Sequence, residues 1–439
     1  MEYWWKKAKL YELYIDKFAG NIVGLTQRLD YFVELGINTL HILPHYPSPM
    51  VDDGYDVSDY RGVRAALGTL AQFEHFLQLA HRKDIHVIVD LALNHTSQEH
   101  PWFIEARSSK TNPKRDYYLW SKTGTEFPLI ESGIGDIKDK NWIPDPATGE
   151  FYFATYYPQQ PDLNWDNPAV FDEMVDVMCF WAKLGVDGFR LDAVPHLIKR
   201  EGSASRGLPE THALLKRIRA TLSGKFPEVI LLAEAHDSIE DTKKYFGDGD
   251  ECHMAYHFAL MEQMWLSLQH GDEALLQKAV ADSFTIPENC QWAIFLRNHD
   301  EISLVTLPPS ERAALVSYLD PRKLYPFQKG LATSMRLGSV YASNREGLRK
   351  AFRLLYSLPG SPIMYYGDEI GMQNLPHEES IRDSRRYVRG TFDWKAAEAQ
   401  QKDPASLFRE VADLIKGVVP QTQQAPGAVD RIAKEHEIV

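Results

Sequence analysis

The segment Gly185–His196, GVDGFRLDAVPH, is a short apolar run that carries Arg190 and Asp192 and is cut off by a proline. That pattern predicts a buried strand delivering two opposite charges to its C-terminal end. Side chains two residues apart on a strand share a face, so the guanidinium and the carboxylate lie together. Burying an aspartate without partners costs several kcal/mol, and a paired buried charge is either a structural ion pair or part of a reacting group. Other residues bear on that choice. Tyr55 and Asp56 stand in GYDVSDY; Asp90, Asn94 and His95 in DLALNHTS; Glu234 in VILLAEA; His299 and Asp300 in WAIFLRNHDE. Taken singly, each reads as a cap, a loop residue or a satisfied structural group. Gathered in one place, carboxylates raise one another's pKa values, so such a cluster calls for a metal or a reaction. Histidines spaced as a metal-hydrolysis ligand set are absent from the sequence. Acetal chemistry fits better, because glycoside hydrolysis needs one carboxylate as nucleophile or base and one carboxylic acid to protonate the departing oxygen.

These residues can meet only if several elements present them together. Short β-branched or aromatic runs predict strands over 10–18, 38–44, 86–93, 187–194, 229–235, 251–258, 291–297 and 362–370. Helical spacing predicts helices over 24–36, 69–84, 168–185, 209–225, 238–246, 259–282, 347–357 and 403–417, with a further one around 322–338. Strands and helices in alternation predict an α/β fold with a parallel sheet, and eight repeats favour a closed (β/α)8 TIM barrel over a doubly wound sheet. In such a barrel the strand ends named above share one mouth. Between 94 and 168 the rhythm pauses in favour of Pro, Gly, Asp and aromatic residues, too long a stretch for an unstructured loop. The expected organisation is therefore a catalytic barrel over 1–96 and 169–419, a small inserted subdomain after strand 3 over 97–168, and a polar tail over 420–439.

Composition narrows the class. A formal net charge of −13, with no block of Lys and Arg, argues against a nucleic-acid partner held through its phosphates. Ten tryptophans and twenty-one tyrosines offer flat apolar faces of the kind that suit sugar rings. Three widely separated cysteines, Cys179, Cys252 and Cys290, show neither paired nor zinc-type spacing and point to a reducing compartment. With no leader-like N-terminus and no run of eighteen apolar residues, the expectation is a cytoplasmic protein with no membrane partner.

The blocks GYDVSDY, DLALNHTS, QPDLN, GFRLDAVPH, LLAEA, RNHDE and SLPGSPIMYYGDEIG, in that order, resemble the α-amylase superfamily, glycoside hydrolase family 13, over nearly the full length. The resemblance implies that Asp192 is the nucleophile, Glu234 the general acid/base and Asp300 the third carboxylate, which holds ring hydroxyls. It further implies that Arg190 orients Asp192 and keeps it ionised, and that Tyr55, Asp56, His95 and His299 line the first sugar site. The stretches LPETHALLKRIR, AEAHDSIEDTKKYFGDGDECHMAYHFALM and CQWAIFLRNHDE look most like the trehalose synthase branch. An enzyme that cleaves and transfers glucosyl units of short α-glucosides is the implied function, isomerising maltose and trehalose, with an exo-acting α-glucosidase or transglucosylase as the alternative. A noncatalytic sugar-binding or assembly protein is the distant one.

Three departures from the family pattern set further expectations. Lys199, in VPHLIKREG, stands where the branch carries an acidic calcium-binding residue, and an ammonium cannot ligate Ca2+. Asn94 and Asp162 remain as calcium ligands in principle, but the expectation is that no cofactor is required and that Lys199 substitutes for the ion's charge. The family's RTPMQW block is replaced by IRDSRRYVRGTFDW, in which Arg386 is the expected substrate-contacting arginine and Arg382 and Arg389 compete with it. The family's C-terminal β domain is expected to be absent, which leaves room for a homo-oligomer in which a second copy covers the exposed barrel surface.

Overall fold

Eight parallel strands close into a barrel in the computed structural model, which describes residues 3–134 and 137–417. They are β1 (Leu10–Leu13), β2 (Thr39–Ile42), β3 (His86–Ala92), β4 (Gly188–Asp192), β5 (Ile230–Ala233), β6 (Met254–Tyr256), β7 (Gln291–Ile294) and β8 (Ser361–Tyr365). Each strand pairs with its sequence neighbours and β8 returns to β1, as a barrel of right-handed β/α units requires. Nearly every strand residue is buried, which explains why these segments read as apolar runs rather than as alternating ones. The exceptions to apolarity form a belt on successive strands: Glu12 on β1 stands beside His41 on β2, and Asp90 on β3 beside Arg190 on β4.

The outer helices lie close to the expected positions, among them Leu70–His81, Pro168–Leu184, Pro209–Ser223 and Arg345–Ser357. Local differences have identifiable causes. The expected strand 10–18 stops at Leu13 and turns into the short helix Ile15–Ala19, because LYELYI fits both periods. Helix 24–36 is two helices, Ile22–Gln27 and Leu29–Leu35, which break at Arg28; the first begins two residues early because the Asn21 side chain accepts from the Gly24 N–H. Helix 259–282 divides at Gly271, whose left-handed φ of 72° ends Phe258–His270 before Ala274–Ser283. In place of a helix around 322–338, the helix is Pro309–Leu319, started by a proline at its first position, and the following residues form the antiparallel pair Pro326–Phe327 and Ala332–Thr333.

Between β3 and the helix Pro168–Leu184 the chain forms a helix, Pro101–Ser108, and an antiparallel sheet of Trp120–Ser121, Glu150–Phe153 and Trp142–Asp145. Ile130, Trp142 and Phe153 give this excursion a small core of its own. It is tied back to the end of β3 by the Leu163 N–H, which donates to the Asn94 carbonyl at 2.9 Å, and by a β-bridge between His95 and Asp162. All three cysteines are buried and free. Among the described residues no helix is long and apolar enough to cross a membrane. The described chain ends on the helix Leu407–Gly417, so the tail expected over 420–439 lies outside the described residues.

Candidate active site

Asp192 is the last residue of β4, and Arg190, two residues back on the same face, is fully buried. One guanidinium serves three carboxylates. Its Nη1 lies 2.5 Å from Asp192 Oδ1 and 3.0 Å from Asp90 Oδ1, and its Nη2 lies 3.2 Å from Glu234 Oε1. Glu234 follows β5 directly, and its Oε2 accepts from the Ala193 N–H at 2.8 Å. That donor is aimed by Ala193 itself, which adopts the left-handed conformation (φ 50°, ψ 34°), one that a β-carbon makes costly by about 1 kcal/mol or more. Backbone strain thus helps to position the carboxyl.

Asp300 is brought in by the loop after β7. Its Oδ1 accepts from Arg389 Nη2 at 2.6 Å and lies 3.3 Å from Arg385 Nη1, while its Oδ2 lies 3.0 Å from His299 Nε2. Arg190 and Asp90 have no exposed side-chain surface, whereas Asp192, Glu234 and Asp300 keep 14%, 22% and 20% of theirs. The three carboxylates are therefore the part of this charge network that a ligand can touch.

Electrostatics distinguish them. Burial raises the Asp192 carboxyl well above the ordinary carboxylate range, and Glu234, Asp90 and Asp300 add to that against the pull of Arg190. Arg190 pulls the Asp192 carboxyl towards ionisation, but its guanidinium is shared with Asp90 and Glu234. Burial also works against ionisation of Asp300, but His299, Arg385 and Arg389 together hold its carboxyl well below the usual range.

Tyr55 and His299 join the same site: the Tyr55 hydroxyl donates to Asp90 Oδ2 at 2.8 Å and lies 2.7 Å from His299 Nε2. His95 is buried, and burial lowers its pKa to about 4, so the ring is neutral. Its Nδ1 lies 3.3 Å from Asn94 Nδ2 and its Nε2 has no partner among the described residues.

Two expected contacts are placed elsewhere. Asp56 spends its carboxylate inside its own loop, accepting from Ser48 Oγ at 2.9 Å and from the N–H groups of Val51 and Asp52 at 2.9 and 3.2 Å, the local capture of backbone donors that short acidic side chains favour. It shapes the loop that presents Tyr55, and its carboxylate is engaged there rather than with the carboxylate cluster. Arg386 is exposed and donates Nη2 to the Val51 carbonyl at 3.3 Å. The 3-10 turn Ser384–Val388 points Arg385 and Arg389 at Asp300 and leaves Arg386 facing solvent.

Arg385, Asp52 and Tyr156 were not singled out from the sequence. Arg385 Nη2 lies 3.1 Å from Asp52 Oδ1, and burial raises Asp52 to about 6 despite the two nearby arginines. Asp52 stands three residues before Tyr55 in VDDGYD, so a closer reading of that acidic pair would have found it. Tyr156 comes from the inserted segment, its ring centroid 5.4 Å from that of His95, and lies within electrostatic reach of Asp192 and Glu234.

Asn94 and Asp162 do not form a calcium cage. The Lys199 ammonium lies between them, 2.7 Å from Asn94 Oδ1 and 2.6 Å from Asp162 Oδ2, and Asp162 also accepts from the Thr155 N–H and hydroxyl. A cation already occupies the place where a divalent ion would need these oxygens, so the residues present do not fit calcium. Among the described residues no group of three or more His, Cys, Asp and Glu is arranged to hold a metal.

Comparison with known proteins places the chain in a family. Residues 9–320 match the family model for the alpha amylase catalytic domain. The chain is 42% identical over 401 residues to the trehalose synthase/amylase TreS of Mycolicibacterium smegmatis, covering 88% of this chain and 67% of that one. It is 41% identical to the trehalose synthase of Thermus thermophilus, covering 89% of this chain and 40% of that one. The chain thus spans about two thirds or less of these curated relatives. Among solved structures, trehalose-6-phosphate hydrolase of Bacillus licheniformis superposes with a TM-score of 0.72 at 25% identity, covering 94% of this chain and 83% of that one. By the extent of these matches, the chain belongs to the alpha-amylase family.

Proposed function

We propose that this protein is a retaining enzyme on short α-glucosides that moves a glucosyl unit through a covalent ester on Asp192 and interconverts maltose and trehalose. The observation that carries the reading is the single guanidinium of Arg190 shared by Asp192 and Glu234 at the exposed end of a buried charge network. Likeness to trehalose synthases supplies the substrate class.

In this reading Asp192 attacks the anomeric carbon as Glu234 protonates the departing oxygen, giving a β-glucosyl ester; the acceptor hydroxyl then attacks as Glu234 takes its proton back, and the α configuration is retained. Burial and the nearby carboxylates raise the Asp192 carboxyl well above the ordinary carboxylate range. Reaction requires a proton on Glu234 and an ionised Asp192, with Arg190 balancing that charge. Asp300, kept anionic by His299, Arg385 and Arg389, accepts hydrogen bonds from ring hydroxyls. Tyr156, its ring beside that of His95 and within electrostatic reach of Asp192 and Glu234, is the inserted segment's contribution to holding the released sugar against water in this reading.

A product time course by chromatography on maltose, and separately on trehalose, tests this. Trehalose forming from maltose, with little glucose, is the expected result. Glucose as the sole product would replace the isomerase with a hydrolase, and no turnover of either sugar would remove the substrate assignment.

The two arginine positions provide a second check. Arg385→Ala is expected to lower kcat/KM by roughly 100-fold or more, because Asp52 and Asp300 each lose a charged partner in a largely water-excluded site. Arg386→Ala should stay within about 2-fold of wild type, as expected of a surface side chain. Steady-state kinetics on maltose compare them, and equal losses at both positions would contradict the assignment.

A further inference from the structure

On β1, the carboxylate of Glu12 is fully buried at the centre of the barrel. A charge there needs partners on both oxygens, and four donors converge. Oε1 accepts from the His299 N–H at 2.7 Å and faces His299 Nδ1 at 3.0 Å; Oε2 faces His41 Nδ1 and the Tyr256 hydroxyl, each at 3.1 Å. Three separate segments, β2, β6 and the loop after β7, are thus pinned to one carboxylate.

The other side of the His299 ring decides what that pinning does. Nε2 faces Asp300 Oδ2 at 3.0 Å and the Tyr55 oxygen at 2.7 Å, and Tyr55 gives its own proton to Asp90. With a carboxylate at Nδ1 and only acceptors at Nε2, both ring nitrogens must carry hydrogen. We infer that Glu12 is a positioning residue: it locks His299 in a doubly donating imidazolium that fixes the orientation of Asp300 and Tyr55 beneath the sugar. The inference rests on the reading of this site as a glucosyl-transfer centre.

Surrounding charge is consistent with that role. From β2, His41 bridges Glu12 to Asp90, with Nε2 at 3.2 Å from Asp90 Oδ2, and from β4 Arg190 neutralises Asp90. On the β7 and β8 side, Arg297 and Asp368 place one charge of each sign within electrostatic reach of Glu12. The Tyr14 ring stands nearly perpendicular to that of His299, at 6.0 Å between centroids, and the Tyr55 ring stacks on it at 5.6 Å. Burial disfavours a charged imidazole, yet Asp300 and Glu12 raise His299 to about 9. Burial likewise opposes the Glu12 anion, and His299 and His41 hold it well below the usual carboxylate range.

Glu12→Gln keeps the shape and one acceptor oxygen while removing the charge. In 15N-histidine-labelled protein, with the His299 signal identified by its loss in His299→Gln, the wild-type ring is expected to remain protonated up to about pH 9. In Glu12→Gln it should titrate at least about 1 pH unit lower. The alkaline limb of kcat/KM on an activated aryl α-glucoside should move down by the same interval, with a smaller change at the plateau. A purely structural residue would lower the plateau and leave both titrations in place, and that result overturns the inference. A wild-type His299 that titrates below about pH 7 overturns it as well, whether or not the variant folds. The titration needs no substrate, so an inactive protein whose His299 still shifts would refute the functional reading and leave the Glu12–His299 lock standing.

Discussion

Asp192→Asn is expected to lower turnover of short α-glucosides by on the order of 10,000-fold or more, with the fold intact. The amide has nearly the volume of the carboxylate and keeps an oxygen for Arg190, so the loss would be chemical: an uncharged oxygen does not displace the aglycone to form the ester. Glu234→Gln should be as severe on maltose but much milder on an aryl α-glucoside with a good leaving group, where bond cleavage needs little protonation and only the second step lacks its base. Added azide would separate the roles by stereochemistry. With Asp192→Gly it would attack the glucoside directly and give the β-glucosyl azide; with Glu234→Ala it would attack the ester and give the α-glucosyl azide. Rates by release of the aryl alcohol and anomers by NMR check both. An Asp192→Asn variant that hydrolysed the aryl glucoside near the wild-type rate would show that the nucleophile lies elsewhere.

The barrel was legible because each parallel strand is buried on both faces and therefore appears as a short apolar run, bounded by amphipathic helices. Gly188–Asp192 and His86–Ala92 are examples, and their charged exceptions, Arg190 and Asp90, stand out against that apolar background. Boundaries were less legible where two periods fit the same residues, as at Leu10–Leu13 followed by Ile15–Ala19. In the site, residues at strand ends were readable because the strand fixes their direction. Residues on loops were not: Asp56 and Arg386 sit within a few positions of Asp52 and Arg385, and only the turn geometry decides that Asp52 and Arg385 pair with each other beside Asp300 while Asp56 serves its loop and Arg386 the solvent. Glu12 carries no local signal of its role, because a single acidic residue in a short strand such as LYEL fits an outward-facing position equally well. Its partners, His41, Tyr256 and His299, lie between 29 and 287 residues away, a separation that no local pattern records.

Lys199→Met is expected to destabilise the protein by about 3–5 kcal/mol, because it removes the cation from a buried pair and leaves Asp162 charged without it. For a chain of this size the midpoint of thermal unfolding should fall by roughly 3–5 °C. The damage should concentrate where Lys199 works. Its ammonium joins the loop after β4 to Asn94 at the end of β3 and to Asp162 at the end of the inserted segment, so that segment would loosen first and cleavage by a protease near 155–165 should precede global unfolding. Lys199→Glu poses the complementary test. It sets a second carboxylate beside Asp162 and the amide oxygen of Asn94, a donor set of the kind calcium takes and an ammonium repels. The variant should therefore be less stable than Lys199→Met in chelator and should recover on addition of millimolar calcium, as ligand binding to the folded state alone requires. Wild-type protein should show the same midpoint with calcium and with chelator, since its own lysine already supplies the charge. A wild-type midpoint that drops in chelator would place a divalent ion among these oxygens and remove the role assigned to Lys199. A Lys199→Glu variant indifferent to calcium would mean that the neighbouring oxygens cannot complete a cage even when the ammonium is gone.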